Sequence, residues 1–195
     1  LLAQMTDDVG TLVLQNNYRQ TQTLSLAGAQ AASMVDVHAR LMRDLELRAT
    51  LDRDIEFLPG TDALAKRRAN EIGLTAPELA VLLAYVKIDV YKSLLASSFA
   101  DDTAASQELM AYFPEVLATK YEAQVLTHRL RQEIISTVVA NEIVNRAGTT
   151  FVFRVHEETG ADVDDIARAY LCAREIFQIE AFWNAVDALD NEVDA

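Results

Sequence analysis

The chain has 195 residues, 51% of them hydrophobic and 24% charged, with 17 Lys and Arg against 30 Asp and Glu for a net charge of −13. A chain of this length buries roughly 70% of its unfolded surface, enough for a core of its own, and the composition is globular rather than disordered. The acidic balance opposes binding to nucleic acid or to an anionic membrane surface, and a single cysteine, Cys172, supports neither an internal disulfide nor a thiolate metal site.

The punctuation along the chain is sparse and helical in style. Thr6, Asp7 and Asp8 read as a helix N-cap with an acidic first turn, and a long helical stretch then runs through Leu24, Met34, Val37, Leu41 and Leu45, broken once near Ser25 to Gly28. Pro59-Gly60 marks a loop. Thr61 is placed to cap a short helix with Leu64 and Ile72 on its apolar face and Gly73 as its stop. Thr75-Ala76-Pro77-Glu78 is a capping box, with proline in the first turn where no donor is lost. Leu79, Leu82, Leu83, Val86, Val90 and Leu94 follow at helical spacing. Val81, Tyr85 and Ile88 fill other sides, so this helix is expected to be central.

Asp101-Asp102-Thr103 opens a shorter helix ending near Phe113-Pro114. Pro114 to Gly148 reads as one long helix or two stacked ones, with Leu117, Tyr121, Val125, Ile135, Val139 and Ile143 as its apolar stripe. Phe151-Val152-Phe153 has strand character, but no partner strand exists elsewhere, so residues 149–159 are read as helix. Gly160 breaks it, Asp162 or Asp164 caps a helix through Ile166, Tyr170, Ala173 and Phe177, and Ile179 to Leu189 makes the last, with Phe182, Val186 and Leu189 facing inward. The fold class is all-α, a multi-helix bundle of seven to nine helices with one long central helix.

Candidate chemistry is scarce. The six glycines are too scattered for a G-x-G-x-x-G turn or a P-loop, so the chain has no recognisable nucleotide cradle. His38, His128 and His156 lie far apart with no Glu-x-x-His pair, and are read as surface or partly buried helical residues; no metal site is expected. Cys172 reads as a core or semi-core thiol, with no histidine beside it to activate it. Lys66-Arg67-Arg68 ahead of a helix, a turn and another helix superficially resembles a DNA reader. The second helix, however, presents Leu79, Leu82 and Leu83, which demand burial, so the triplet is read as a solvated face or a salt-bridge partner. The longest uncharged apolar run, Leu79 to Val86, is far short of the ~20 residues a membrane span needs. Arg129-Leu130-Arg131 and Asn141-Glu142-Ile143-Val144-Asn145-Arg146 are richer in polar groups than a plain bundle requires. Two readings stand for them: a buried hydrogen-bond network that fixes helix register, or a contact surface for another domain or subunit.

Several stretches together carry a resemblance. They are Met5-Thr6-Asp7-Asp8-Val9 with Leu12 to Tyr18, Gly73-Leu74-Thr75-Ala76-Pro77-Glu78-Leu79 running on to Tyr85, and Tyr112-Phe113-Pro114. His128-Arg129-Leu130-Arg131-Gln132-Glu133, Asn145-Arg146-Ala147-Gly148-Thr149-Thr150-Phe151-Val152, Glu158-Thr159-Gly160-Ala161 and Glu175-Ile176-Phe177 complete the series. In this order, across nearly the whole chain, they resemble the C-terminal region of the large bacterial NAD-specific glutamate dehydrogenases.

The resemblance implies a long polypeptide whose central core oxidises L-glutamate to 2-oxoglutarate and ammonia, passing a hydride to NAD. The dinucleotide turn and the acid/base residues would lie upstream of Leu1, so no catalytic, cofactor-binding or metal-binding residue is expected in this chain. It opens without a leader-like stretch and reads as an internal piece of a longer protein. Residues 1–48 would be tail helices that pack on the catalytic core, and residues 49–195 a C-terminal helical domain. Its implied role is domain packing or assembly, in a cytoplasmic protein that is a homo-oligomer at full length, with the core of the same polypeptide as partner and no nucleic acid or membrane. The expected contact residues are Arg129, Arg131, Asn141, Asn145 and Arg146. The alternative is a ligand-sensing regulatory module, with Arg129, Arg146 or Arg154 turned inward to hold a small acidic metabolite.

Overall fold

The computed structural model describes residues 2–189; Leu1 and residues 190–195, the outer ends of the two expected regions, lie outside them. Among the described residues there are eleven α-helices, one 3-10 turn and no strand. In chain order these are α1 (Leu2–Ala29), α2 (Val35–Leu47), α3 (Thr61–Ala69), α4 (Ala76–Leu95), the 3-10 turn (Phe99–Asp101), α5 (Thr103–Tyr112), α6 (Glu115–Lys120), α7 (Glu122–Leu126), α8 (Arg131–Ala147), α9 (Phe151–Thr159), α10 (Val163–Ile176) and α11 (Ile179–Asp187). The all-α class stands, and the number exceeds seven to nine because stretches read as single helices divide. The stretch from Pro114 to Gly148 falls into α6, α7 and α8. Tyr121, at φ −125°, interrupts the first pair, and His128 Nδ1 accepts the Leu130 amide in the turn before α8. Tyr121 is accordingly 43% exposed rather than part of the buried stripe.

The core forms where α4 meets α8. Leu79, Leu82, Leu83, Val86, Val90 and Leu94 of α4 are all buried, as their spacing requires, and so are Ile135, Val139 and Ile143 of α8. The capping box that starts α4 is present: Glu78 accepts the Thr75 amide at 2.7 Å, and Arg67 grips the same carboxylate at 2.6 and 2.9 Å. Arg68 pairs with Asp36 at 2.9 Å, so the basic triplet supplies salt-bridge partners. Leu41, Met42 and Leu45 of α2 join the same core. α8 buries seven of its 17 residues and α4 six of its 20, whereas the longest helix, α1 at 28 residues, buries only Thr23.

Several local expectations need correction. α1 runs straight through both Thr6 and the Ser25–Gly28 stretch, and the chain turns later, over residues 30–34. Thr6 and Ser25 donate their hydroxyls to the carbonyls of Leu2 and Thr21 one turn back, at 2.9 and 3.1 Å, so residues suited to capping are satisfied inside the helix. α3 is capped by Gly60 rather than Thr61 and stops at Ala69, with Ile72 55% exposed. Glu71, at φ 55°, makes the left-handed turn expected of Gly73. Gly73 has another constraint, because a Cβ there would overlap the backbone and side chain of Ala31. In α11, Phe182 and Val186 are exposed, as is Leu189 just beyond it. Helical spacing identifies an apolar face but not what covers it.

The two glycines make a contrasting test. Gly73→Ala is expected to lower unfolding free energy by about 1–3 kcal/mol, because backbone rather than a flexible side chain blocks the new methyl. Gly28→Ala, at a helical position with nothing within 4 Å, is expected to raise it by about 0.5–1 kcal/mol. Urea unfolding of both variants checks the pair.

Candidate functional site

A groove of about 690 Å³ lies between α1, α5, α8 and α10 and has charged side chains in its lining. Glu108 of α5 is buried and accepts from Arg174 Nη2 of α10 at 2.5 Å. Glu142 of α8 stands 3.9 Å from Arg174 Nη1 and 3.8 Å from Arg19 of α1. The Tyr170 hydroxyl lies 3.5 Å from the same carboxylate. Burial pushes Glu142 above its ordinary carboxylate pKa, opposed by the fields of Arg19 and Arg174. Burial also disfavours the Arg174 cation, but its bond to Glu108 and that carboxylate's field raise its pKa on balance. These two carboxylates and two guanidiniums balance one another in charge. Their effect is to tie four helices together.

The structure separates the five expected contact residues into two groups. Asn141 lines the charged groove. Asn145 is buried, donates from Nδ2 to Asn16 Oδ1 at 3.2 Å, and its backbone carbonyl accepts the Thr23 hydroxyl. Arg146, with a side chain only 4% exposed, pairs with Asp187 at 3.1 Å and lies under the Trp183 ring at 4.9 Å. Asn145 thus meets α1, and Arg146 meets α11. Arg131 lies at the other end of α8, about 20 Å away by helix rise. It pairs with Asp101 at 3.4 Å, while Arg129 is exposed in the preceding turn. Of the arginines considered as inward ligand anchors, Arg146 and Arg154 line one pocket and Arg129 is not part of it.

Sequence reasoning missed Arg19, Glu108 and Arg174. They lie on three helices far apart in the chain, and no local spacing connects them. The one available signal was Glu142, which sits inside the polar run Asn141 to Arg146. Two single-residue readings also need correction. Cys172 is exposed, because Leu171 rather than its neighbour takes the inward position on α10. His38 is fully buried, whereas His128 is partly covered and His156 exposed. Among the described residues no group of three or more His, Cys, Asp or Glu side chains is placed to hold a metal ion, and no helix is long and apolar enough to cross a membrane.

Apolar side chains are exposed along α1, at Leu2, Val9, Leu12, Val13 and Leu14, with exposures from 40 to 79%. Thr23 is the one fully buried residue of that helix. A second apolar surface comprises Ile176, Phe177 and Phe182, where α10 meets α11.

Removing Arg174 leaves Glu108 buried without its partner. Arg174→Met is expected to cost about 3–5 kcal/mol, and adding Glu108→Met to recover most of it; a double-mutant cycle in urea measures the coupling. His38 gives a pH dependence. Burial holds its pKa down to about 4 from the ordinary 6.5. Within that window the unfolded chain binds a proton that the folded chain does not, so stability falls as pH falls, by up to about 3 kcal/mol. Urea midpoints between pH 7 and 4 are expected to drop more steeply for the native chain than for His38→Gln.

Residues 71–195 match the family described as "Glutamate dehydrogenase, C-terminal". Over 195 residues the chain is 45% identical to an NAD-specific glutamate dehydrogenase of Pseudomonas aeruginosa, covering 100% of this chain. It is 43% identical over 193 residues to one of Halomonas elongata and 36% identical over 188 residues to one of Mycobacterium tuberculosis, covering 99% and 96% of the chain. In each case it spans 12% of the relative's own length. With the matched family reaching over most of the helical core, the chain belongs to the glutamate dehydrogenase C-terminal family.

Proposed function

We propose that the chain is the non-catalytic helical portion of an NAD-specific glutamate dehydrogenase and serves it by docking. The parent reaction would be the oxidative deamination of L-glutamate to 2-oxoglutarate and ammonia, with NAD held by residues outside this chain. The observation that carries this reading is the exposed apolar face of α1. Val9, Leu12 and Val13 lie on one stretch of helix, at 40 to 54% exposure. The chain spans 12% of the relatives it matches, so a longer polypeptide of this kind would have surface enough to cover that face.

On this reading residues 1–48 bridge two bodies. α2 is seated in the helical domain of residues 49–195 through Leu41, Met42 and Leu45, while the first half of α1 reaches toward the catalytic core. Arg129, exposed beside Arg131 at the far end of α8, offers a second contact for a neighbouring domain or subunit. Asn145 and Arg146 hold α1 and α11 at the angle that docking needs, and Asn141 lines the groove beside them. The assembled enzyme would be a cytoplasmic homo-oligomer.

Glutamate-dependent NAD reduction tests the reading. The 195-residue chain is expected to be inert and the longer polypeptide active. Val9→Asp with Val13→Asp is expected to leave the stability of the 195-residue chain within about 0.5 kcal/mol. In the longer polypeptide the same pair should lower activity and change the sedimentation profile. Activity in the isolated chain, or an unaltered longer enzyme carrying both aspartates, would reject the docking role.

A further inference from the structure

In a chain with 17 basic and 30 acidic residues, four arginines line one groove of about 390 Å³ beside a single lining carboxylate. α2 and α3 form its walls. Asp36, Arg40 and Arg43 share one face of α2, and Thr61, Ala65 and Arg68 share one face of α3, each set at offsets of four and seven. Arg53 joins them from the intervening loop. Arg68, at the end of α3, pairs with Asp36 at the start of α2, so the helices run in opposite directions. Thr61 therefore comes level with the Arg43 end of the groove.

The groove keeps hydrogen-bond donors open to solvent. Arg43 is exposed and, among the described residues, has no hydrogen bond or ion pair. Arg53 holds Glu46 through Nε and Nη2, at 2.6 Å each, which leaves Nη1. Arg68 spends only Nη1 on Asp36, at 2.9 Å, in a pair whose side chains are 68% and 58% exposed. An ion pair so exposed is weak and gives way to a better anion. Arg40 is committed, with Nε and Nη2 on Glu157 and Nη1 on the Asp36 carbonyl, and lends the groove only its field. Asp36, Glu46 and Glu157 thus balance three of the four guanidiniums, and the charge of Arg43 is left over. At the same end α3 begins at Gly60 with no side-chain cap, so its first-turn amides keep their donors.

We infer that the groove between α2 and α3 binds a polyphosphate, an extended anion with several phosphoryl groups in a row. Arg43, Arg53 and Thr61 take one end and Arg68 the other. Seven residues of α2 separate the two ends, about 10 Å by helix rise, which suits an extended anion better than a compact one. Guanidinium forks match phosphoryl oxygens two at a time. The groove lies within this chain, so the inference goes beyond the docking role and does not depend on it. Binding is read on the chain alone, and docking in the longer polypeptide.

The experiment is a titration of the 195-residue chain with inorganic tripolyphosphate, without divalent cations, following heat and the thermal midpoint. An ionic strength of about 0.1 M confines the fields that count to roughly 10 Å, so the acidic surplus elsewhere is screened. One saturable site is expected, with Kd below about 1 mM and a midpoint that rises with ligand concentration. Arg43→Gln is expected to weaken binding about tenfold. That variant folds, because the side chain it removes is exposed and unpaired. Asp36→Asn, which frees Arg68, should tighten binding severalfold. ATP carries the same triphosphate chemistry. Equal affinity for ATP would make a nucleotide the source, weaker affinity a free polyphosphate, and both support the site. The inference is overturned by the absence of saturable heat and midpoint rise up to about 5 mM tripolyphosphate. Citrate binding as tightly also overturns it, as does an equal loss from Arg154→Gln, an exposed arginine of α9 outside the groove.

Discussion

The packing of α4 against α8 is the contact on which the rest of the molecule depends. Leu82 and Leu94 on one helix and Ile135, Val139 and Ile143 on the other have no solvent exposure. α1, α10 and the 3-10 turn each touch both members of the pair. That arrangement fixes where polar groups on the remaining face of α8 must go. Glu142, Asn145 and Arg146 are carried outward from the apolar seam and meet α1, α10 and α11. Hydrophobic burial therefore decides where these polar groups of α8 meet their partners, and the junctions decide angle and register.

In so acidic a chain, arginine is the scarce partner and is used between helices. Arg19 links α1 to α8, Arg174 links α10 to α5, Arg67 ties α3 to the cap of α4, and Arg168 reaches Asp102 ahead of α5. Exposed pairs of this kind contribute little free energy each. Their geometry still matters, because a carboxylate surplus leaves uncompensated repulsion wherever an arginine is removed. The Arg174–Glu108 pair differs in degree, since both side chains are nearly out of water and neither tolerates losing the other.

What was legible in the sequence was whatever short-range chemistry determines. The capping box at Thr75, the buried stripe of α4, the left-handed stop at Gly160 and the helical nature of residues 151–159 all follow from spacing within one or two turns. The failures share a different cause. Thr6 and Ser25 have two ways to satisfy a hydroxyl, and local sequence does not choose between them. Cys172 and the face of α11 depend on which elements arrive to cover them, and those beside α10, such as α4 and α8, come from elsewhere in the chain. The polar run Asn141 to Arg146 was identified as unusual, but its division between a charged groove and a separate pocket required α1 and α11 in place. The family resemblance was legible because it rests on many short stretches in order, a property of the chain that folding does not alter.

The length of α1 has a mechanical consequence. At 1.5 Å per residue its 28 residues form a rod of about 40 Å, held near one end where Thr23 meets the carbonyl of Asn145. A rod seated in this way is a lever. A tilt of 10° about Thr23, some 30 Å from the far tip, carries that tip through about 5 Å by that same geometry. The seat supplies a pivot, and the angle is completed by whatever surface receives the tip. Small repacking around Asn145 and Gln22 is thereby magnified, and the far end of the helix moves by about the width of a side chain.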